Sequence, residues 1–252
     1  MNKNIEKLIA TAKKEVGYLE KASNKDLDSK TANAGSENWT KYARDLDALG
    51  NVYNGPKQHQ PWCDLFIDWC FITTFGLTLG MALLCQEYKG LGAGCTYSAG
   101  YYKKKGQFYT SGPQPGDQIF FTNDNGKTSC HTGLVIDTDK SKVYTIEGNT
   151  SSAPGVIPNG GAVADKSYLL TSNRIYGYGR PDWSLCPSDE EEIEMEKWNK
   201  LSEIPESYRD SIKTLVDAKC LNGINAAGDL DLTRIEARIY TVMLRAKKAG
   251  LI

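Results

Sequence analysis

An α+β fold is predicted by three features of the chain. Helical periodicity runs from residue 4 to Lys104, short β-branched runs bounded by turn signals occupy Pro113 to Tyr178, and helical patterning returns after an acidic run at 187–196. Helices first and an antiparallel sheet afterwards is the segregated pattern of an α+β domain. At 252 residues the chain can bury one good-sized core and a small second unit. The expected organisation is a larger α+β domain over 1–185, an acidic linker over 186–197 and a small helical domain over 198–252.

The elements follow in order. Residues 4–16 place Ile5, Leu8, Ile9, Ala12 and Val16 on one helical face, and Gly17 ends that helix. The segment 20–37, rich in Lys, Ser, Asn and Asp, reads as a long loop. A second helix from Trp39 to Leu49 packs Trp39, Tyr42, Ala43 and Leu46, with Gly50 as its stop. In the next helix Cys63, Phe66, Ile67, Cys70 and Phe71 recur at the spacing of one buried face. Pro61 suits its start, and Asp64 and Asp68 suit the positive end of its dipole. Gly76 closes it. A helix at about 78–88 leads to the glycine-rich stretch Gly90–Cys95, and Tyr97–Lys104 is a short helix ending in a solvated basic run. Strands are expected at Gln118–Phe121, His131–Ile136, Val143–Glu147, Ala162–Leu170 and Arg174–Tyr178, with 150–161 as loop.

Past the acidic run, helices over Glu206–Lys219 and Thr233–Ala249 are separated by a turn at Asn222–Gly228, with Asp231 or Thr233 as a cap. A hairpin of about sixty residues is near the size where isolated folding becomes marginal. Its apolar positions Leu215, Val216, Ile235, Ile239, Val242 and Leu244 exceed what one hairpin can hide, so it is expected to pack against something.

Composition narrows the functional classes. The formal net charge of −1 argues against an electrostatic nucleic-acid binder. No apolar run approaches the ~18 residues of a membrane span. The first ten residues carry charge and helical periodicity in place of the apolar core and cleavage site of a signal peptide, so synthesis without a conventional export signal is expected. Seven cysteines, an odd number scattered without CxxC pairs, read as thiols, most of them small buried hydrophobes. Cys130 and His131 are adjacent, hence on opposite faces of a strand, and metal-ligand spacing is absent. No metal and no cofactor is predicted.

One constellation carries chemistry. A cysteine at a helix start, Cys63, meets unpaired N–H groups and a dipole that favour thiolate over thiol. His131 starts one strand and Glu147 ends the next, with Asn149 two residues on. By alternation His131, Gly133 and Val135 share a face, as do Val143, Thr145 and Glu147. If both faces look at the cysteine helix, thiol, imidazole and carboxylate converge. An imidazole then holds the thiolate as an ion pair and protonates a leaving amine, a carboxylate fixes the imidazole, and N–H groups at the helix start stabilise an oxyanion. On the residues alone, a packed core thiol, a structural histidine and a surface carboxylate remain the alternative.

Trp62-Cys63-x-x-Phe66-x-x-Trp69-Cys70, Pro115-Gly116-Asp117-x-x-Phe120-Phe121, His131-Thr132-Gly133-Leu134-Val135 and Thr145-Ile146-Glu147-Gly148-Asn149-Thr150 together resemble the CHAP family in order and spacing. The four blocks lie within 54–150, and a looser likeness extends to about Trp183. The resemblance implies a papain-like fold and a cysteine amidohydrolase or peptidase that cuts bacterial peptidoglycan. Cys63 would be nucleophile, His131 base and Glu147 the group orienting it, with Asn149 as a fourth member. The bond would be the amide between N-acetylmuramic acid and L-alanine, or a peptide bond of the stem or cross-bridge. Some family members bind calcium through an acidic loop before the cysteine. Here Asn51–Lys57 holds no carboxylate, so no calcium requirement is expected.

The C-terminal hairpin resembles small helical modules at the ends of phage and prophage lysins, which implies wall binding, with dimerisation or plain stabilisation as the alternative. The whole reads as an endolysin-type peptidoglycan hydrolase, made in the cytoplasm and released through a holin or another route. Its expected partner is peptidoglycan, with no nucleic acid, no membrane and a homodimer through the C-terminal helices left open. Its rivals are a Cys-His amidase acting on another amide or a protein, and a non-catalytic wall-binding protein.

Overall fold

The computed structural model describes residues 2–50, 52–186, 197–198, 200–217, 232–233, 237, 240–241, 243–244 and 247–248. The chain divides into two units, 1–186 and 187–252.

In the first unit, helix α1 (Lys3–Glu15) starts where the Asn2 side chain accepts the Asn4 N–H at 2.8 Å, and it buries Leu8, Ile9 and Ala12. Helix α2 (Lys41–Ala48) is capped by Thr40, whose Oγ1 accepts the Ala43 N–H at 3.1 Å. The cap shortens this helix relative to the sequence expectation. Trp39 falls outside it and lies against His59, with ring centroids 5.4 Å apart.

Helix α3 (Cys63–Phe75) departs furthest from the one-faced pattern: every residue from Cys63 to Ile72 is buried, Asp64 and Asp68 included. The reason is its position. It is contacted by α1, α2, by helix α4 (Leu77–Leu83), by helix α5 (Cys95–Lys104) and by two strands of the sheet, so up to Ile72 no side of it is left to solvent. Buried carboxyls need partners. Asp64 accepts from Ser98 Oγ–H at 2.6 Å and Gln118 Nε2–H at 3.0 Å, and Asp68 accepts from Tyr53 O–H at 2.6 Å. Helix α4 stops well short of residue 88, since Cys85 takes a positive φ of 55°. Helix α5 begins two residues before the expected Tyr97, at Cys95.

Six strands follow: β1 (Phe108–Tyr109), β2 (Gln118–Phe121), β3 (His131–Thr138), β4 (Lys142–Thr150), β5 (Ala162–Leu169) and β6 (Ile175–Gly179). They form one sheet in the order β1-β6-β2-β3-β4-β5, antiparallel throughout. The two-residue edge strand β1 carries no sequence pattern and was not anticipated. Alternation sorts the sheet into two faces. Leu134 and Ile146 join Leu65, Phe66 and Ile67 of α3 in the main core. Ile119, Phe121, Val135, Val143, Tyr168 and Tyr178 form a second cluster. Each fully buried side chain of this size contributes roughly 1.5–3 kcal/mol relative to exposure. At Gly148 the sheet touches the first turn of α3: a Cβ there would lie 2.5 Å from Phe66 Cβ. Only glycine permits that approach.

In the second unit, β7 (Lys197–Trp198) pairs antiparallel with β8 (Leu232–Thr233), and helix α6 (Glu206–Asp217) packs Ile212 with Ile204, Leu232 and Ala237. Leu232–Thr233 is therefore strand where a helix cap was expected. The pairing with Lys197–Trp198 holds its backbone extended. Residues 237, 240, 241, 243, 244, 247 and 248 are helical, in keeping with a second helix. Asp231, Ile235, Ile239, Val242 and the acidic run 187–196 lie outside the described residues. The core clusters of the first unit draw on residues up to Cys186, and that of the second on residues from Leu201 onward.

Candidate active site

Cys63 is the first residue of α3, and Trp62 just before it is anchored. The buried indole packs against Tyr18 and Tyr42, and its N–H donates to Glu20 Oε2 at 2.7 Å. No side chain caps the helix, so its first N–H groups are not taken up by a cap. Cys95, the first residue of α5, brings its Sγ within 3.5 Å of Cys63 Sγ. The Cys63 thiol is held well below its ordinary pKa, first by the Cys95 hydrogen bond, then, against the opposing effect of burial, by His131 and the Asp64 backbone N–H. The Cys95 thiol is pushed up, first by donating to Cys63 and then by burial. A thiolate with a thiol donor beside it is the resulting arrangement.

His131 and Glu147 are fully buried. His131 Nε2 lies 2.9 Å from Glu147 Oε2, which also accepts from Tyr168 O–H at 3.1 Å, while Glu147 Oε1 accepts from Thr145 Oγ1–H at 2.6 Å. The imidazole stacks on Phe121, with centroids 5.8 Å apart. Its other nitrogen, Nδ1, is buried without a hydrogen bond, and the ring lies close enough to Cys63 for each to shift the other's charge. Burial opposes charging of this ring. The neighbouring thiolate and carboxylate outweigh it, and the imidazole pKa rises to about 10. With the thiol held low and the imidazole raised, the pair rests as thiolate and imidazolium.

The way the groups meet differs from the sequence reasoning. The faces carrying His131 and Glu147 do not look at the body of α3, because Leu134 and Ile146 occupy that side. His131 shares its face with Phe121, and Glu147 shares its face with Tyr168. Thiol and imidazole meet because each starts its element: Cys63 is the tip of α3 and His131 the first residue of β3. A polar bridge fixes the two tips. Gln118 Nε2–H donates to Asp64 Oδ1 at 3.0 Å and to Thr132 Oγ1 at 3.1 Å, so the neighbour of the cysteine and the neighbour of the histidine share one amide. Gly133 leaves room for the carboxylate, since a Cβ there would lie 2.5 Å from Glu147 Cγ.

Asn149 is buried at a φ of 53°, and its side chain bonds elsewhere than to the imidazole. Its Oδ1 accepts the Gly161 N–H at 3.2 Å and its Nδ2–H donates to Asn38 Oδ1 at 3.4 Å. Gly161 O in turn accepts the N–H of Glu20, the residue that holds Trp62. Asn149 thus braces the segment behind the cysteine. Cys95, Tyr168 and Thr145 were not singled out in the sequence. Thr145 carried a signal, its shared alternation with Glu147, and Cys95 a weaker one, its place at the end of a glycine-rich stretch just ahead of the expected Tyr97–Lys104 helix. Among the described residues no three His, Cys, Asp or Glu side chains are grouped to hold a metal ion. No helix among them is long and apolar enough to cross a membrane.

Residues 55–149 match the CHAP domain family, an interval containing Cys63, His131, Glu147 and Asn149. The match supports a hydrolase of the amidase or peptidase kind acting on peptidoglycan, and the helices packed on an antiparallel sheet are consistent with a papain-like domain. No curated protein matches the chain.

Proposed function

We propose that this protein is an endolysin-type peptidoglycan hydrolase that cleaves an amide bond of the bacterial wall through a thioester at Cys63. The observation that carries the reading is the hydrogen bond from His131 Nε2 to Glu147 at 2.9 Å, which leaves Nδ1 for the thiol at the start of α3. In this mechanism the Cys63 thiolate attacks the amide carbonyl carbon, and N–H groups at the uncapped helix start receive the oxyanion. The imidazolium gives its Nδ1 proton to the leaving amine, and the C–N bond breaks to leave the thioester. Water, deprotonated by the now neutral imidazole, attacks the thioester and frees the acid product. Glu147 Oε2 accepts the ring's Nε2–H and holds the imidazole in place. The scissile bond is either the N-acetylmuramoyl–L-alanine amide or a peptide bond of the stem or cross-bridge. The second unit serves wall attachment in this scheme.

The test is loss of turbidity of purified cell walls with mass spectrometry of the fragments, which also identifies the bond. Cys63→Ala is expected to be folded and inactive, since Cys95, the thiol beside it, starts a different helix and is a raised thiol rather than a thiolate. Lysis by folded Cys63→Ala near the parent rate would overturn the mechanism. Cleavage of small amides or proteins with intact walls would move the reading to a general Cys-His amidase, and wall binding without any fragment would make the protein a binder.

A further inference from the structure

The first unit holds a second thiol, Cys95, that takes no covalent part in the proposed hydrolysis. Cys63 and Cys95 each begin a helix, α3 and α5, and their sulfurs are 3.5 Å apart. A disulfide has an S–S length of about 2.05 Å, so the sulfurs need to approach by only about 1.5 Å, within the reach of side-chain rotation. Both residues are buried but not sealed, 6% and 7% exposed, which admits a small oxidant and excludes a protein thiol. Cys85 and Cys70 are placed differently. Cys85 lies in the same cluster but donates to Gln107 Oε1 at 3.2 Å, and Cys70 is enclosed in the main core.

We propose that Cys95 is a resolving thiol for Cys63, so that a hydroperoxide converts the pair reversibly into a Cys63–Cys95 disulfide. The Cys63 thiolate attacks the terminal oxygen of the hydroperoxide, the O–O bond breaks, and the departing alkoxide or hydroxide takes up a proton. Cys63 is now a sulfenic acid, oxidised by two electrons, and the peroxide is reduced to an alcohol or water. Cys95 sulfur then attacks Cys63 sulfur, the S–O bond breaks, and hydroxide leaves as water with the Cys95 proton. The sum is two thiols and one peroxide giving one disulfide, water and the alcohol. A dithiol reverses it by exchange. The consequence is protection: the disulfide forms before a second peroxide can carry Cys63 to the sulfinic acid, which dithiols do not reduce. The proposal requires a reactive Cys63 thiolate but no particular substrate, and its readout is a mass, so it succeeds or fails independently of wall hydrolysis.

The experiment treats the reduced full-length protein with hydrogen peroxide, blocks remaining thiols and maps tryptic peptides with and without prior dithiol. Cys63 lies on peptide 58–89 and Cys95 on peptide 90–103, so the link joins two peptides. Fragment ions separate Cys63 from Cys70 and Cys85 on the first of them. The expected result is a Cys63–Cys95 link, lighter than the thiols by two hydrogens and lost on reduction. After an equal dose, reduced wild type should recover about tenfold more free Cys63 than Cys95→Ala or Cys95→Ser, whose Cys63 peptide should gain two oxygens. Cys95→Ser keeps the size of the side chain if the alanine variant folds poorly. Sulfinic Cys63 in wild type without the link, a link through Cys85 instead, or equal recovery in Cys95→Ser would each overturn the proposal.

Discussion

Replacing Glu147 by Gln tests the charge on the imidazole while keeping the shape of the site. The carboxylate is fully buried and accepts from His131, Tyr168 and Thr145 at 2.9, 3.1 and 2.6 Å. An amide oxygen in the Oε2 position keeps the first two bonds. The amide N–H₂ at the Oε1 position is satisfied when the Thr145 hydroxyl rotates to accept. What disappears is the charge. A hydrogen bond to a charged group contributes about 1.5–3 kcal/mol and a neutral one about 1 kcal/mol, so the imidazolium loses roughly 1–2 kcal/mol. At tenfold per 1.36 kcal/mol, turnover should fall about 5- to 30-fold. That is less than for His131→Ala, where loss of the acid–base group costs about 10²- to 10⁴-fold.

The pH dependence gives a second readout. His131 is raised from 6.5 to about 10, so its charged form stabilises the fold fully below 6.5 and that contribution is lost as pH rises through about 10. In Glu147→Gln the loss should begin at lower pH, and the alkaline limb of the rate profile should move down with it. Wall turbidity across pH measures the first effect. Peptide-resolved alkylation of Cys63 follows the ion pair without any substrate, and thermal melting confirms the fold. Unchanged turnover together with an unmoved alkaline limb would refute the reasoning. If that silence accompanied a severe loss in Asn149→Ala, the orienting role would pass to Asn149.

Cys70→Ala, in a core site with no exposure, should cost about 1–2 kcal/mol in denaturant unfolding and leave turnover near the parent value; a large fall in turnover would place Cys70 in the chemistry. Gly148→Ala forces a Cβ to within 2.5 Å of Phe66 Cβ and 3.0 Å of the Trp62 ring, so overpacking of about 1–3 kcal/mol is expected. Because the strain falls on the tip of α3, hydrolysis should drop by more than stability explains; an unchanged rate would show that the tip tolerates displacement. Ending the chain after Cys186 should leave a folded hydrolase, because the cores of the first unit lie wholly within it. Its wall affinity should be lower, most visibly at low enzyme and high salt, and gel filtration should show whether the parent alone dimerises. A truncated enzyme that matches the parent in both lysis and size would remove binding and dimerisation from the second unit.

The sequence by itself determined the order of helices and strands, because the signals involved are local. Period and punctuation are enough to read α1, α3 and the five longer strands, and the cysteine at a helix start with His131 and Glu147 on two successive strands is legible as a set. Local pattern could not tell that α3 is buried along its first ten residues, since its carboxylates read only as partners of the helix dipole, and it is Tyr53, Ser98 and Gln118 that serve them in the interior. Nor could it give β1 or the β7–β8 pair, two-residue pairings held by partners far along the chain. Tertiary structure alone brought Cys95 to Cys63, 32 positions apart in the chain. It alone turned Asn149 toward Gly161 and set His131 and Glu147 on the face away from α3. Alternation gives the parity of a strand but not which face the helix covers; that is decided by where Leu134 and Ile146 find apolar partners, a choice made by the packing of the whole unit.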